Sequence, residues 1–210
     1  MTPHRHVKSD KLRRVKARTL PIAAVLGLAV LAHAQTPAPS SAPLARFASM
    51  PAAPPSPPPS PVPANLQVPA GEKLILKAHA TGWQVYTCGP GADGKAQWTL
   101  KGPDAELHDG LGAVIGHHST GPTWTYKDGS QIIGKAVAHA DAPDSKSVAW
   151  LLLTAIGHSG DGLFSHVTSV QRLATQGGQP PPATECDPSK PSPEARSSYT
   201  ADYYFYSPEK

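Results

Sequence analysis

No stretch between Val62 and Lys210 holds an apolar residue at every third or fourth position for long enough to make one face of a helix. Short segments of β-branched and aromatic residues instead alternate with clusters of Gly, Pro and Asp. A half-buried strand needs a period of two and an amphipathic helix one of 3.6, so this chain has the material for a sheet and not for a helical core. Lys73–His79 and Trp83–Cys88 read as two strands joined by a turn at Ala80-Thr81-Gly82. Gln97–Lys101, Ala105–His108 and Ala113–His118 follow between glycine-bearing turns. Thr123–Tyr126 and Gln131–Ala138 make the clearest hairpin, through Lys127-Asp128-Gly129-Ser130, where positive φ is expected at both central residues. Val148–Ile156, the most apolar run, suits a central strand covered on both faces, with a short helix as the competing reading. Phe164–Leu173 and Tyr199–Tyr206 complete the set. Roughly nine or ten short strands imply an all-β domain, a single antiparallel sandwich or a closed barrel, because an open sheet of that size leaves long unpaired edges.

What precedes the domain is of a different kind. Residues 1–34 read as a signal peptide: a basic run (Arg5, Lys8, Lys11, Arg13, Arg14, Lys16, Arg18), an apolar stretch Leu20–Leu31, then the small-x-small site Ala32-His33-Ala34. The apolar stretch holds 12 residues with Pro21 and Gly27 inside it, short of the roughly 20 that span a bilayer, so no membrane span is expected after cleavage. Of 19 Lys+Arg and 15 Asp+Glu, seven bases and one acid lie in this leader, leaving 12 against 14 and a net charge of −2. The basic character of the whole chain thus belongs to the leader, and nucleic acid is not an expected partner. Residues 35–63 are rich in Pro, Ala and Ser, with Pro54-Pro55-Ser56-Pro57-Pro58-Pro59-Ser60-Pro61 suited to extended polyproline II geometry, and read as a disordered linker. The β-rich domain is expected over 64–210, in a secreted or periplasmic protein.

Both cysteines, Cys88 and Cys186, fall in that domain. In an oxidising compartment a lone pair is expected to form a disulfide, and neither a Cys-x-x-Cys spacing nor a complete zinc-ligand set competes with it.

Residues with chemistry are present without a strong motif. Seven histidines follow the leader: His79, His108, His117, His118, His139, His158 and His166. His117 and His118 are adjacent, so on a strand they point to opposite faces and cannot serve one ion without a bulge. The best metal set is His108, Asp109 and His117, brought together across Gly110-Leu111-Gly112; surface histidines bonded locally are the competing reading. Gly157-His158-Ser159-Gly160-Asp161 misses the nucleophile-elbow pattern at its fifth position and is followed by a strand where that elbow needs a helix. No glycine loop opens a helix to hold a phosphate, so no nucleotide cofactor is expected. The aromatics are mainly packing groups, but both faces of Tyr203-Tyr204-Phe205-Tyr206 are buried only if each is covered. A groove for a glycan or apolar ligand is therefore placed at Trp83, Trp124, Tyr203, Tyr204 and Tyr206.

The order of the segments carries a resemblance. Trp83-Gln84-Val85-Tyr86-Thr87-Cys88, Gly121-Pro122-Thr123-Trp124, Asp128-Gly129-Ser130 and Trp150-Leu151-Leu152-Leu153 occur in sequence. Gln171-Arg172-Leu173-Ala174-Thr175, Gly177-Gly178, Pro181, Cys186 and Tyr199–Tyr206 follow. From about Asn65 to Ser207 the chain resembles the secreted family catalogued as domain of unknown function 3455. The resemblance implies export, one β-rich domain and no established activity, and it supplies no catalytic residues. The expected role is an exported binding or structural module without catalysis, directed at an unknown ligand or surface polymer. A metal- or carboxylate-assisted extracellular hydrolase is the alternative.

Overall fold

The computed structural model describes residues 54–59, 61–190 and 194–209. The expected leader and most of the proline-rich segment lie outside the described residues. Eight antiparallel strands form one closed barrel: β1 Glu72–Pro90, β2 Ala96–His108, β3 Val114–Ser119, β4 Thr123–Tyr126, β5 Gln131–Ala140, β6 Trp150–Ser159, β7 Ser169–Gly177 and β8 Glu194–Pro208. Each strand pairs with its neighbours in sequence, and β8 returns to β1 in a register that sets His79 opposite Asp202 and Thr81 opposite Thr200. Closure gives every strand a neighbour on both sides over part of its length, while Ala96–Asp104 of β2 and Glu194–Ser197 of β8 have register partners on β1 alone. Among the described residues no helix is long and apolar enough to cross a membrane.

Strands are fewer and longer than expected. β1 runs unbroken through Ala80-Thr81-Gly82. Gly82 is not a turn there but a point of close approach: a Cβ on it would lie 2.3 Å from the Asp104 carbonyl oxygen and 2.5 Å from the Ala105 Cα. β2 likewise continues through Gly102 and Pro103, which pair with Val85 and Gln84. The hairpin between β4 and β5 has a left-handed residue only at Gly129, not at Asp128. The Asp128 carboxylate holds the turn instead, accepting from the Ser130 N–H at 2.8 Å and the Ser130 hydroxyl at 2.5 Å. The start of the expected Phe164 strand is a 3-10 turn, Leu163–His166, because two of its backbone N–H groups reach back to that same hairpin. Leu163 donates to Asp128 Oδ2 at 2.8 Å, and Phe164 to Ser130 Oγ at 3.0 Å.

Alternation along β8 sorts its residues. Tyr199, Ala201, Tyr203 and Phe205 point into the barrel, where they meet Ala78, Ala80, Ala105, Trp124, Ile132, Leu153 and Val170. Alanines on β1 and β2 make room for the large rings contributed by β4 and β8. The turn at Leu163–His166 closes one end: Phe164, fully buried, stacks on Phe205 at 4.6 Å and meets Tyr126 at 5.4 Å between ring centroids. Tyr204 and Tyr206 point outward, yet they too are buried. A strap running from Val62 to Val68 lies over them with Leu66 at its centre, packed against Leu152 and Leu173. Gln171 clamps the strap by donating to the Leu66 carbonyl at 2.6 Å while accepting from the Tyr206 hydroxyl at 2.7 Å. Both faces of the aromatic strand are thus covered, the inner by the barrel and the outer by the strap.

Candidate functional site

At the end of the barrel away from Phe164 the packing stops short. A cavity of about 400 Å³ remains among all eight strands and the β3–β4 turn. Trp124, Leu153 and Tyr203 form its buried wall, and Leu100, Lys101, Thr120, Gly121 and Ala136 stand exposed at its rim. Eight strands enclose an interior that side chains can just fill, or that can hold one small ligand where they do not. Glycine shapes the wall: a Cβ on Gly134 would come 2.7 Å from the Trp124 ring, so Gly134 is what lets that ring lie flat against β5.

His118, on the inward face of β3, stacks parallel to Trp124 with centroids 4.4 Å apart, and Tyr203 meets both rings edge-on. Its Nδ1 lies 2.9 Å from the Thr123 carbonyl and donates there. Burial away from water holds the His118 pKa down to about 3, against the opposing pull of the Thr123 carbonyl. It is therefore a neutral packing group at ordinary pH. Burial likewise raises the Tyr203 hydroxyl, with the nearby Arg172 guanidinium working the other way. Arg172 enters the cavity wall from β7, donates through Nε and Nη2 to the Ala149 carbonyl at 3.1 and 2.8 Å, and also bonds the Tyr203 hydroxyl. Among the described residues no Asp or Glu lines the cavity. Lys101 at the rim is already paired with Glu194.

The expected ligand groove is thus divided. Trp124 and Tyr203 come together in the cavity wall. Trp83 points outward and is 42% exposed, while Tyr204 and Tyr206 are sealed under the strap. The reason is the two-residue period: Tyr204 and Tyr206 belong to the opposite phase of β8 from Tyr203. The metal set is not assembled. His108 Nδ1 lies 3.3 Å from the Gly112 carbonyl, Asp109 Oδ1 caps the turn by accepting from the N–H groups of Leu111 and Ala113, and His117 Nε2 lies 3.3 Å from Asp104. Among the described residues no three His, Cys, Asp or Glu side chains converge to hold a metal ion. His117 and His118 do point to opposite faces, the first exposed and the second buried.

Gln84, His118 and Arg172 are polar cavity residues that sequence reasoning passed over as site candidates. The available signal was phase: Arg172 lies two residues from inward-facing Val170, and Gln84 four from inward-facing Ala80, so both are polar residues at inward positions. The expected pairing of Cys88 with Cys186 is present, with Cα atoms 5.3 Å apart. It anchors the β7–β8 connection to the end of β1, close to where Tyr86 donates to the Gly178 carbonyl at 2.6 Å and Trp98 to the Pro182 carbonyl at 3.2 Å.

Fold and site together define an eight-stranded up-and-down β-barrel protein, plugged at one end and hollow near the other. The chain belongs to the family described as Protein of unknown function (DUF3455), whose model matches residues 69–207. Neither a curated protein nor a solved structure matches it.

Proposed function

We propose that this chain is an exported, non-catalytic module that binds a small ligand in the mouth of its barrel. The observation that carries the reading is the largely apolar cavity of about 400 Å³ that opens on the buried core at Trp124, Leu153 and Tyr203. Small-molecule sites are concave, largely apolar and furnished with a few polar groups, in the range of about 300–1,000 Å³. Binding without chemistry fits a wall that, among the described residues, has one imidazole, buried and neutral, and no carboxylate. Export is supported by the form of the leader and by the disulfide, which suits an oxidising compartment. A surface polymer remains the expected ligand only if one terminal unit can enter the mouth.

The test uses N-phenyl-1-naphthylamine, a neutral apolar fluorophore, titrated against the purified chain. One site per chain is expected. Ala136→Trp, at an exposed rim position, should abolish binding without lowering the melting temperature, by filling the mouth. Binding that persists unchanged in a folded Ala136→Trp protein would show that the probe sits elsewhere and remove this reading.

A further inference from the structure

We propose that the ligand of this cavity is an amphipathic organic anion, a carboxylate or sulfonate head on an apolar body, with its head held by Arg172. This rests on the binding reading above and names the chemistry of the ligand.

The first support is charge. The two ionised side chains of the lining, Lys101 and Arg172, are both cationic, and no acid opposes them from within. Lys101 is exposed and has its own carboxylate in Glu194. Arg172 is partly buried, and among the described residues no carboxylate lies within ion-pair distance of it. Its partners among the described residues, the Ala149 carbonyl and the Tyr203 hydroxyl, are neutral. A guanidinium in a largely apolar wall is costly without a counter-charge, and its planar fork matches a carboxylate or sulfonate better than any other side chain does.

The second support is hydrogen bonding and is independent of charge. Four buried side-chain polar atoms lack a partner among the described residues, and two of them, Gln84 Nε2 and Trp124 Nε1, belong to residues lining this cavity. Both are donors. Buried polar groups are nearly always paired, so two orphaned donors in a lining that also holds a guanidinium without a counter-charge mark a site short of acceptors. An oxyanion supplies acceptors and no donors. A cation, a metal ion or an amine would add to what the site already has in excess.

The third support is the rest of the wall. Leu151, Leu153, Trp124 and Pro122 offer a surface for a hydrocarbon or aromatic body, not for a free inorganic anion.

The experiment compares two fluorophores that share a ring system and differ in charge: 1-anilinonaphthalene-8-sulfonate and N-phenyl-1-naphthylamine. The full chain should bind the sulfonate at least tenfold more tightly, at one site, with decanoate displacing it at a concentration at least tenfold below that needed for decanol. Arg172→Gln, which keeps a donor for the Ala149 carbonyl, should erase the preference while leaving the neutral probe bound. Lys101→Gln should retain the preference. Because the comparison of matched probes on the unaltered chain is itself decisive, a misfolded Arg172→Gln protein does not protect the proposal. Equal affinity for the two probes, or a preference that survives in folded Arg172→Gln protein, overturns the anion assignment and leaves the cavity reading standing. No binding of either probe overturns both.

Discussion

His118 shows how a residue with catalytic potential becomes a structural one. Stacked on Trp124 and cut off from water, it resists protonation in the folded state down to about pH 3, whereas in the unfolded chain it takes up a proton near pH 6.5. The unfolded state therefore binds more protons between these values, and this histidine's share of stability, complete above pH 6.5, is lost as pH falls toward 3. At pH 5 the loss amounts to about 2 kcal/mol. Chemical denaturation across pH 7 to 5 should find His118→Asn, which keeps a donor for the Thr123 carbonyl, flatter in stability than the unaltered chain; equal slopes would refute the assignment. Phe164 acts at the same scale by volume. Fully buried between Phe205 and Tyr126, it closes the barrel, and Phe164→Ala should cost about 3 to 5 kcal/mol, read as a lowered denaturation midpoint.

Among the elements, the strap is the one whose importance exceeds its length. Its three-residue 3-10 turn, Ala64–Leu66, has no side-chain cap of its own and is held by what it covers. Leu66 is fully buried against Tyr204, Tyr206, Leu152 and Leu173. Asn65 ties it to β5 by donating to the His139 carbonyl at 2.7 Å. Leu66→Ala should destabilise by about 2 to 5 kcal/mol, the range for emptying a buried leucine site. Gln171→Leu should also destabilise, because it leaves the Leu66 carbonyl and the Tyr206 hydroxyl without their partner. A purified chain beginning after Val68 should melt earlier and take up apolar dye on the uncovered outer face of β8. Unchanged melting in that truncation would show the strap to be ornamental.

On the scale of the molecule, closure and the disulfide act on different states. Closure pairs every strand in the folded protein, whereas the Cys88–Cys186 link, spanning a sequence separation of 98, chiefly restricts the unfolded one. In the chain-entropy account it contributes about 4 to 5 kcal/mol, a large part of the 5 to 15 kcal/mol by which domains are typically stable. Cys88→Ser with Cys186→Ser should therefore unfold at markedly lower denaturant, with the barrel's spectroscopic signature retained at low temperature. Equal midpoints for the oxidised and the double-serine proteins would remove the disulfide from any account of stability.

The all-β character, the linked cysteines and most strand positions were legible from residue order, because alternation and turn chemistry are local properties. β4 was located to the residue, and the opposed directions of His117 and His118 followed from the two-residue period alone. Other features depended on contacts between segments distant in the chain. Gly82 reads locally as a turn but serves as a contact between β1 and β2, and Phe164 reads as strand but is held in a 3-10 turn by Asp128 and Ser130. Whether the sheet closed as a barrel or folded as a sandwich rested on β8 meeting β1, a pairing that no local pattern encodes. The cavity belongs to the same class. Gln84, His118, Trp124, Arg172 and Tyr203 lie on five different strands, and a hollow exists only where their side chains, once brought together, fail to fill the space between them.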